Sequence, residues 1–91
     1  MTYEEEIGKL RKKINRINEE IVEKLEQRVE VSINIGDVKR KYNKPIVDRT
    51  REKAVFKQIR VLAEKYNIDA GDVEKVFREI VSLCTNAQLK T

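Results

Sequence analysis

The chain has 91 residues, with 20 Lys and Arg against 16 Asp and Glu, so its net charge is +4. It contains no His and only one Cys, which excludes a Ser-His-Asp triad, an imidazole metal site, an internal disulfide and a thiolate zinc site. Any catalysis must therefore use Lys, Arg, carboxylates, amides, hydroxyls or packing, and we expect no metal site.

The sequence has no feature typical of an exported or membrane-spanning protein. No apolar run approaches the roughly 18–20 residues that are needed to cross a bilayer. Residues 1–10 carry three consecutive acids and lack the apolar segment of a signal peptide. We therefore expect a cytoplasmic protein with a reduced thiol and no membrane contact. The net charge alone is compatible with either nucleic acid or a small anion as partner.

The first predicted element is a long helix over about residues 2–42. Its apolar positions are spaced three and four apart, which is typical of an amphipathic helix with a coiled-coil-like seam. They are Ile7, Leu10, Ile14, Ile17 and Ile21. The helix should end before Pro45, because proline disfavours helical backbone in the residue that precedes it.

Such a helix is too long for a compact monomer. About 40 residues at 1.5 Å each make a rod of ~60 Å, whereas a compact domain of this size is about 30 Å across. The seam would then be exposed and would need a partner helix. A homodimer of interlocked helices is the simplest solution. The alternative is a helix that breaks near Gly36 and folds back.

Two shorter helices follow, over about residues 48–66 and 69–89. Asp48 and Asp69 are the expected N-caps. The apolar stripes run through Val55, Phe56, Ile59, Leu62, Ala63 and Tyr66 in the second helix, and through Val73, Val76, Phe77, Ile80, Val81, Cys84 and Ala87 in the third. The predicted fold class is all-α, with one long and two shorter helices in a single domain over residues 1–91.

Each helix also places polar side chains on its apolar stripe. Arg28 interrupts a row of isoleucines spaced by sevens, and Lys39 lies 11 residues further on, within about 20° of the same face. Glu52 and Gln88 continue the stripes of the second and third helices. Buried charge is costly unless it is paired or used. The four residues therefore predict a cation-rich pocket for a small anion with a hydroxyl, or else they pair with one another or lie at frayed helix ends.

Positive charge is concentrated around the first break between helices. Residues 39–53 contain seven cations and two acids, for a net charge of +5. An ordinary solvated loop explains most of these cations. A nucleic-acid surface would also explain them, although no recognition-helix motif or exposed aromatic platform supports that function.

In order and spacing, several short motifs resemble the all-helical class of chorismate mutases over nearly the whole chain. They are Leu10-Arg11 before Ile14 and Ile17, Glu26-Gln27-Arg28, Ile35-Gly36-Asp37-Val38-Lys39, Pro45-Ile46-Val47-Asp48 with Arg51-Glu52, and Phe77-Arg78-Glu79-Ile80 leading to Gln88. The resemblance implies a Claisen rearrangement of chorismate to prephenate without metal or cofactor. It also implies an intertwined homodimer in which each active site receives an Arg from the partner.

The resemblance assigns roles to individual residues. Arg28 and the partner's Arg11 would clamp the two carboxylates of chorismate, and Lys39 would contact a carboxylate and the ether oxygen. Gln88 would donate to that same oxygen. Glu52 and the backbone of Asp48 would bind the ring hydroxyl, although Asp48 could equally serve only as a helix N-cap.

Two further positions lie near this set. Cys84 stands where relatives commonly have a hydroxyl that helps to bind a carboxylate, so it binds substrate more loosely or serves only in packing. Arg51 is interpreted as a support for the site and not as a contact to the substrate.

Two other classes of function stay open at this point. One is a basic helical module that binds nucleic acid, and the other is a coiled-coil dimerisation protein without catalysis. The second of these leaves Arg28, Glu52 and Gln88 on apolar faces unexplained.

Overall fold

The computed structural model describes residues 1–91, which form three α-helices and no strand. The helices are α1 (Tyr3–Lys41), α2 (Arg49–Lys65) and α3 (Ala70–Lys90). The predicted all-α class and the number of helices are confirmed. None of the three helices carries an apolar stretch long enough to cross a lipid bilayer.

Each helix begins at a side chain that caps its first turn. The side chain of Thr2 accepts a hydrogen bond from the Glu5 amide at 3.2 Å, and the carboxylate of Asp48 accepts from the Arg51 amide at 3.0 Å. Asp69 caps α3 in the same way. Each cap satisfies an amide that has no partner within its helix and is typically worth about 1 kcal/mol.

The first two helices end in the same backbone motif. Asn43 and Asn67 adopt left-handed backbone, with φ of 56° and 57°. At the first of these ends the Lys44 amide donates to the Lys39 carbonyl at 2.7 Å, and the Asn43 amide donates to the Arg40 carbonyl. This is the hydrogen-bond pattern of a Schellman motif, in which Asn is tolerated where Gly is usual. The helix thus ends at a local turn, and Pro45 follows it.

The long first helix makes the monomer an extended molecule. The chain measures 61 × 27 × 15 Å, and its radius of gyration is 17.2 Å, against about 12 Å for a compact chain of this length. α1 passes through Gly36 without a break, so the alternative of a helix that folds back there is wrong. The apolar seam at its N-terminal half is about half exposed, with 55% at Ile14 and 51% at Ile21.

α3 lies between the other two helices and packs against both, whereas α1 and α2 do not pack directly on each other. The small core of the monomer contains Ile59 and Ala63 of α2 and Cys84 of α3. α1 approaches α3 closely at Gly36, where an added Cβ would lie 3.2 Å from the Cβ and Cγ of Gln88. A larger side chain at position 36 would therefore require Gln88 to shift by a few tenths of an ångström.

An ion cluster ties α2 to α3 on the surface. The carboxylate of Glu74 accepts hydrogen bonds from Arg60 at 3.2 Å and from Arg78 at 3.0 Å. The hydrogen bond from Arg78, followed by that from Arg60, lowers the pKa of Glu74 below its ordinary value of 4.5. The guanidinium of Arg78 also lies 4.4 Å from the centre of the Phe56 ring, which adds a cation–π contact across the same helix pair.

Candidate active site

A cavity of about 340 Å³ lies where the three helices come together, near the lower end of the size range of small-molecule sites. The second half of α1, the start of α2 and the last turns of α3 form its walls. Its polar lining consists of Arg28, Ser32, Lys39, Asp48, Arg51, Glu52, Cys84, Thr85 and Gln88. Five aliphatic side chains complete the wall: Val31, Ile35, Ile46, Val55 and Val81.

Arg28 lies on the α1 wall and is held from α3. Its Nη1 donates a hydrogen bond to the Sγ of Cys84 at 2.9 Å, and Cys84 itself is buried. A thiol is a weak acceptor, and the guanidinium has five donors in a planar fork. Arg28 therefore keeps most of its donor capacity for an anion in the cavity.

Lys39 reaches the cavity from the last turn of α1. Its Nζ donates to the carbonyl oxygen of Ile46 at 2.8 Å, and this contact spans the loop between α1 and α2. The Schellman turn at Asn43 reverses the chain and so brings that carbonyl next to Lys39. An ammonium group has three donors, so two remain for another acceptor.

The start of α2 supplies both carboxylates. Asp48 caps the helix and also lines the cavity. Glu52 is about one-fifth exposed and pairs with the exposed Arg49 at 3.0 Å. Arg51 lies between them on the same turn. The cavity thus combines three cations (Arg28, Lys39 and Arg51) with two acids.

Gln88 is nine-tenths buried in the last turn of α3. Its Oε1 atom is fully buried and has no hydrogen-bond partner, which leaves the amide NH₂ as the more accessible end of the group. A buried polar atom without a partner costs about 1–3 kcal/mol. The structure tolerates this cost at the wall of the cavity, where a ligand could use the amide.

The structure brings six of the seven predicted site residues to one cavity, namely Arg28, Lys39, Asp48, Glu52, Cys84 and Gln88. The seventh, Arg11, is exposed on α1 and does not line the cavity of its own chain. The four polar residues on the apolar stripes make no hydrogen bonds to one another, so the alternative that they pair with one another is wrong. They face a shared space instead.

Three further polar residues line the cavity, namely Ser32, Arg51 and Thr85. Arg51, expected as a support, forms part of the wall, and so does the hydroxyl residue Thr85. Thr85 follows Val81 by four positions and precedes Gln88 by three, which is the spacing of one helix face. That spacing could have identified it.

A known sequence family and several known proteins match most of the chain. Residues 10–89 match the sequence profile of the family described as chorismate mutase type II. The chain is 37% identical over 89 residues to the bifunctional chorismate mutase/prephenate dehydratase of Aquifex aeolicus. The aligned segment covers 94% of this chain and 25% of that protein. It is 29% identical over 77 residues to the chorismate mutase of Methanocaldococcus jannaschii. That alignment covers 85% of this chain and 78% of the archaeal protein.

The bifunctional protein of Escherichia coli is 27% identical over 81 residues, which cover 89% of this chain and 21% of that protein. The chain thus spans about a quarter or less of the bifunctional relatives that it matches, and most of the archaeal one. The family match over residues 10–89 includes all six predicted residues at the cavity. The chain belongs to the chorismate mutase type II family.

Proposed function

We propose that this chain catalyses the Claisen rearrangement of chorismate to prephenate. The observation that carries the proposal is the cavity at which Arg28, Lys39, Glu52 and Gln88 meet, in a chain whose residues 10–89 match the chorismate mutase type II family. Chorismate is a small dianion with a ring hydroxyl and an enol-ether oxygen. Cations, an acid and an amide are the groups that recognise those features.

The carboxylates are bound by arginine. A guanidinium fork pairs with a carboxylate through two parallel hydrogen bonds, and Arg28 has donors free for this. The second arginine is the partner's Arg11, since Arg11 and Arg28 of one chain are 17 residues apart, or about 25 Å along the helix. One small ligand cannot contact both within a single chain, but an antiparallel partner helix can bring its Arg11 to Arg28.

The exposed seam of α1 supports the homodimer. Between Arg11 and Arg28 lie Ile14, Ile17 and Ile21, each about half exposed in the monomer. Only six of the 91 residues are buried, so the monomer hides little apolar surface of its own. Two antiparallel copies of α1 cover these isoleucines and complete two cavities at once.

Catalysis consists of positioning and charge stabilisation. The rearrangement is intramolecular and concerted, so it requires no proton transfer and no histidine. The ether oxygen gains negative charge as its C–O bond breaks, and Lys39 and the Gln88 amide donate to it. Fixed donors of this kind are typically worth about 10²–10³ in rate. The arginines hold the enolpyruvyl side chain over the ring and so lower the entropic part of the barrier.

The remaining polar groups bind the ring. Glu52 accepts a hydrogen bond from the ring hydroxyl, and the backbone of Asp48 contacts the same group. Cys84 lies beside Arg28 at the carboxylate end.

We also propose that the enzyme works in the cytoplasm, where a free thiol such as Cys84 stays reduced.

A nucleic-acid function is less well supported. Two of the basic residues in the 39–53 segment, Lys39 and Arg51, line the cavity. Two others are paired with acids, Arg40 with Asp37 and Arg49 with Glu52. Binding to nucleic acid would weaken steeply as salt is raised, so a salt titration with a duplex and with single-stranded RNA separates this function from catalysis.

The direct test is an assay of chorismate consumption by the purified chain, without added metal or cofactor and with a chelator present. We expect chorismate to disappear and prephenate to form in equal amounts. If chorismate disappears no faster than in buffer, the proposal is wrong.

A further inference from the structure

Arg40 joins the last turn of α1 to the last turn of α3. Its Nη1 donates to the backbone carbonyl of Gln88 at 3.1 Å, and its Nη2 donates to Oδ1 of Asp37 at 2.8 Å. One planar guanidinium thus connects an acid one turn earlier on its own helix with the backbone of another helix. Arg40 does not line the cavity, so it has no contact with a ligand there.

The position of the acceptor gives this contact its importance. Gln88 lies in the last described turn of α3, and its backbone carbonyl accepts its hydrogen bond from a side chain of another helix. A cation at the C-terminus also interacts favourably with the helix dipole. Arg40 therefore caps the turn of α3 that carries Gln88.

A second contact fixes the same residue from the side. The Gln88 side chain rests against α1 at Gly36, where an added Cβ would lie 3.2 Å from its Cβ and Cγ. The backbone of Gln88 is thus held by Arg40 and the base of its side chain by the surface of α1. Its amide group alone extends further, with Oε1 buried and unpartnered.

We infer that Arg40 is a positioning residue that holds the last turn of α3 so that the Gln88 amide faces the reacting oxygen. The inference rests on the proposed function, in which Gln88 donates to the ether oxygen of chorismate. Asp37 assists by fixing one arm of the guanidinium, so that the other arm points across to α3.

The test is a kinetic double-mutant cycle with Gln88→Ala and Arg40→Met, the second of which keeps most of the aliphatic stem of Arg40. The matched control is Lys41→Met, which removes the cation next to Arg40 in the sequence. The ammonium group of Lys41 lies over the Tyr42 ring. We expect Arg40→Met to lower kcat by about 10- to 100-fold, because a small misplacement of a catalytic group has effects of that size. KM should change little, since the lost interaction belongs to the transition state. Lys41→Met should leave both constants unchanged.

The cycle separates positioning from general support of the fold. In a Gln88→Ala background, Arg40→Met should cause no further loss of kcat, because residues that act as one unit are not additive. Two milder variants, Arg40→Lys and Asp37→Asn, should show intermediate losses, and circular dichroism should show unchanged helix content in them. They test the inference even if Arg40→Met folds poorly.

The outcomes distinguish the inference from the function on which it rests. If the unaltered chain does not convert chorismate, the proposed function is wrong and the role of Arg40 is wrong with it. If the unaltered chain is active, the inference alone is overturned by either of two results. One is full activity in Arg40→Met, and the other is an equal loss from Arg40→Met with and without Gln88.

Discussion

Arg28 of α1 donates a hydrogen bond to the thiol of Cys84 on α3 at 2.9 Å. The two residues are 56 positions apart in sequence, and both line the cavity. The contact fixes the guanidinium against the wall with a weak acceptor and leaves its other donors free. The nature of residue 84 should therefore affect how tightly the carboxylate next to Arg28 is bound.

Replacement of Cys84 by Ser should strengthen substrate binding. A hydroxyl is a better donor than a thiol, and one net hydrogen bond is worth about 0.5–1.5 kcal/mol. We expect the KM for chorismate to fall by about two- to tenfold, with kcat little changed. Steady-state kinetics of Cys84→Ser measure both constants.

The matched control at this position is Cys84→Ala, which offers neither donor nor acceptor. Its KM should not fall. An equal or higher KM in Cys84→Ser than in the unaltered chain would assign Cys84 to packing alone.

Removal of the Lys39 ammonium should abolish most of the catalysis without unfolding the chain. Lys39→Ala loses a donor to the ether oxygen, and kcat/KM should fall by about 10²–10³. It also loses the hydrogen bond to the Ile46 carbonyl, which should lower the free energy of unfolding by only about 1 kcal/mol. The backbone hydrogen bonds of the Schellman turn remain, so circular dichroism should show the same helix content.

Lys41→Ala is the control for Lys39→Ala, because it removes a cation from the same turn outside the cavity. It should retain full activity. Equal losses in the two variants would mean that net charge, and not the position of Lys39, determines the rate.

The sequence was sufficient to predict the elements that depend on local pattern. The spacing of Ile14, Ile17 and Ile21 predicted α1, and the acids Asp48 and Asp69 predicted where the next helices begin. Apolar periodicity and capping act within a few residues, so they are visible in sequence. The Schellman turn at Asn43 was not predicted, because left-handed backbone at Asn is only one of the conformations open to it.

Spacing within single helices was also sufficient to predict part of the cavity lining. Arg28 and Lys39 share one face of one helix, so their spacing alone places them together. Thr85 shares a helix face with Val81 and Gln88, so its spacing in the sequence also points to the cavity. Arg51 reaches the cavity through the way α2 packs on α3, and no periodicity within α2 contains that information. Arg40 belongs to the 39–53 segment, for which the sequence predicts mostly solvated cations. Its contact with the Gln88 carbonyl depends on where two distant helix ends meet.

Replacement of Gln88 by Glu should shift activity toward acid pH. An ionised carboxylate only accepts hydrogen bonds, whereas a protonated acid can donate one to the ether oxygen. Activity of Gln88→Glu should therefore rise as pH falls and the introduced carboxylate becomes protonated, while the unaltered chain should show no such rise. Rate measurements from about pH 8 to about pH 4 test this. A flat profile in the variant would contradict the role of Gln88 as a donor.

Glu74 should make stability depend on pH in the acid range. Its pKa is lower in the folded chain than its ordinary value of 4.5, chiefly because of the hydrogen bond from Arg78. The unfolded chain therefore binds this proton more readily, so the carboxylate stabilises the fold above that value. The contribution is lost as the pH falls through the lowered pKa. In Glu74→Gln this part of the dependence should disappear.

Urea denaturation at fixed protein concentration measures this effect without screening the ion cluster. The unaltered chain should be more stable than Glu74→Gln near pH 7, and the difference should shrink toward about pH 3. A difference that stays constant across this range would mean that the ionisation of Glu74 does not contribute.

Two inactive variants should restore activity to each other if Arg11 acts across the dimer. In a heterodimer of Arg11→Ala and Arg28→Ala, one cavity has Arg28 from the first chain and Arg11 from the second, and the other cavity lacks both. After equal amounts are unfolded and refolded together, half of the dimers are mixed, so about a quarter of the full activity should return. The control pairs Arg28→Ala with Lys39→Ala, which should not restore activity, because each residue serves the cavity of its own chain and both cavities stay defective. Recovery in both mixtures, or in neither, would contradict the contribution of Arg11 from the partner.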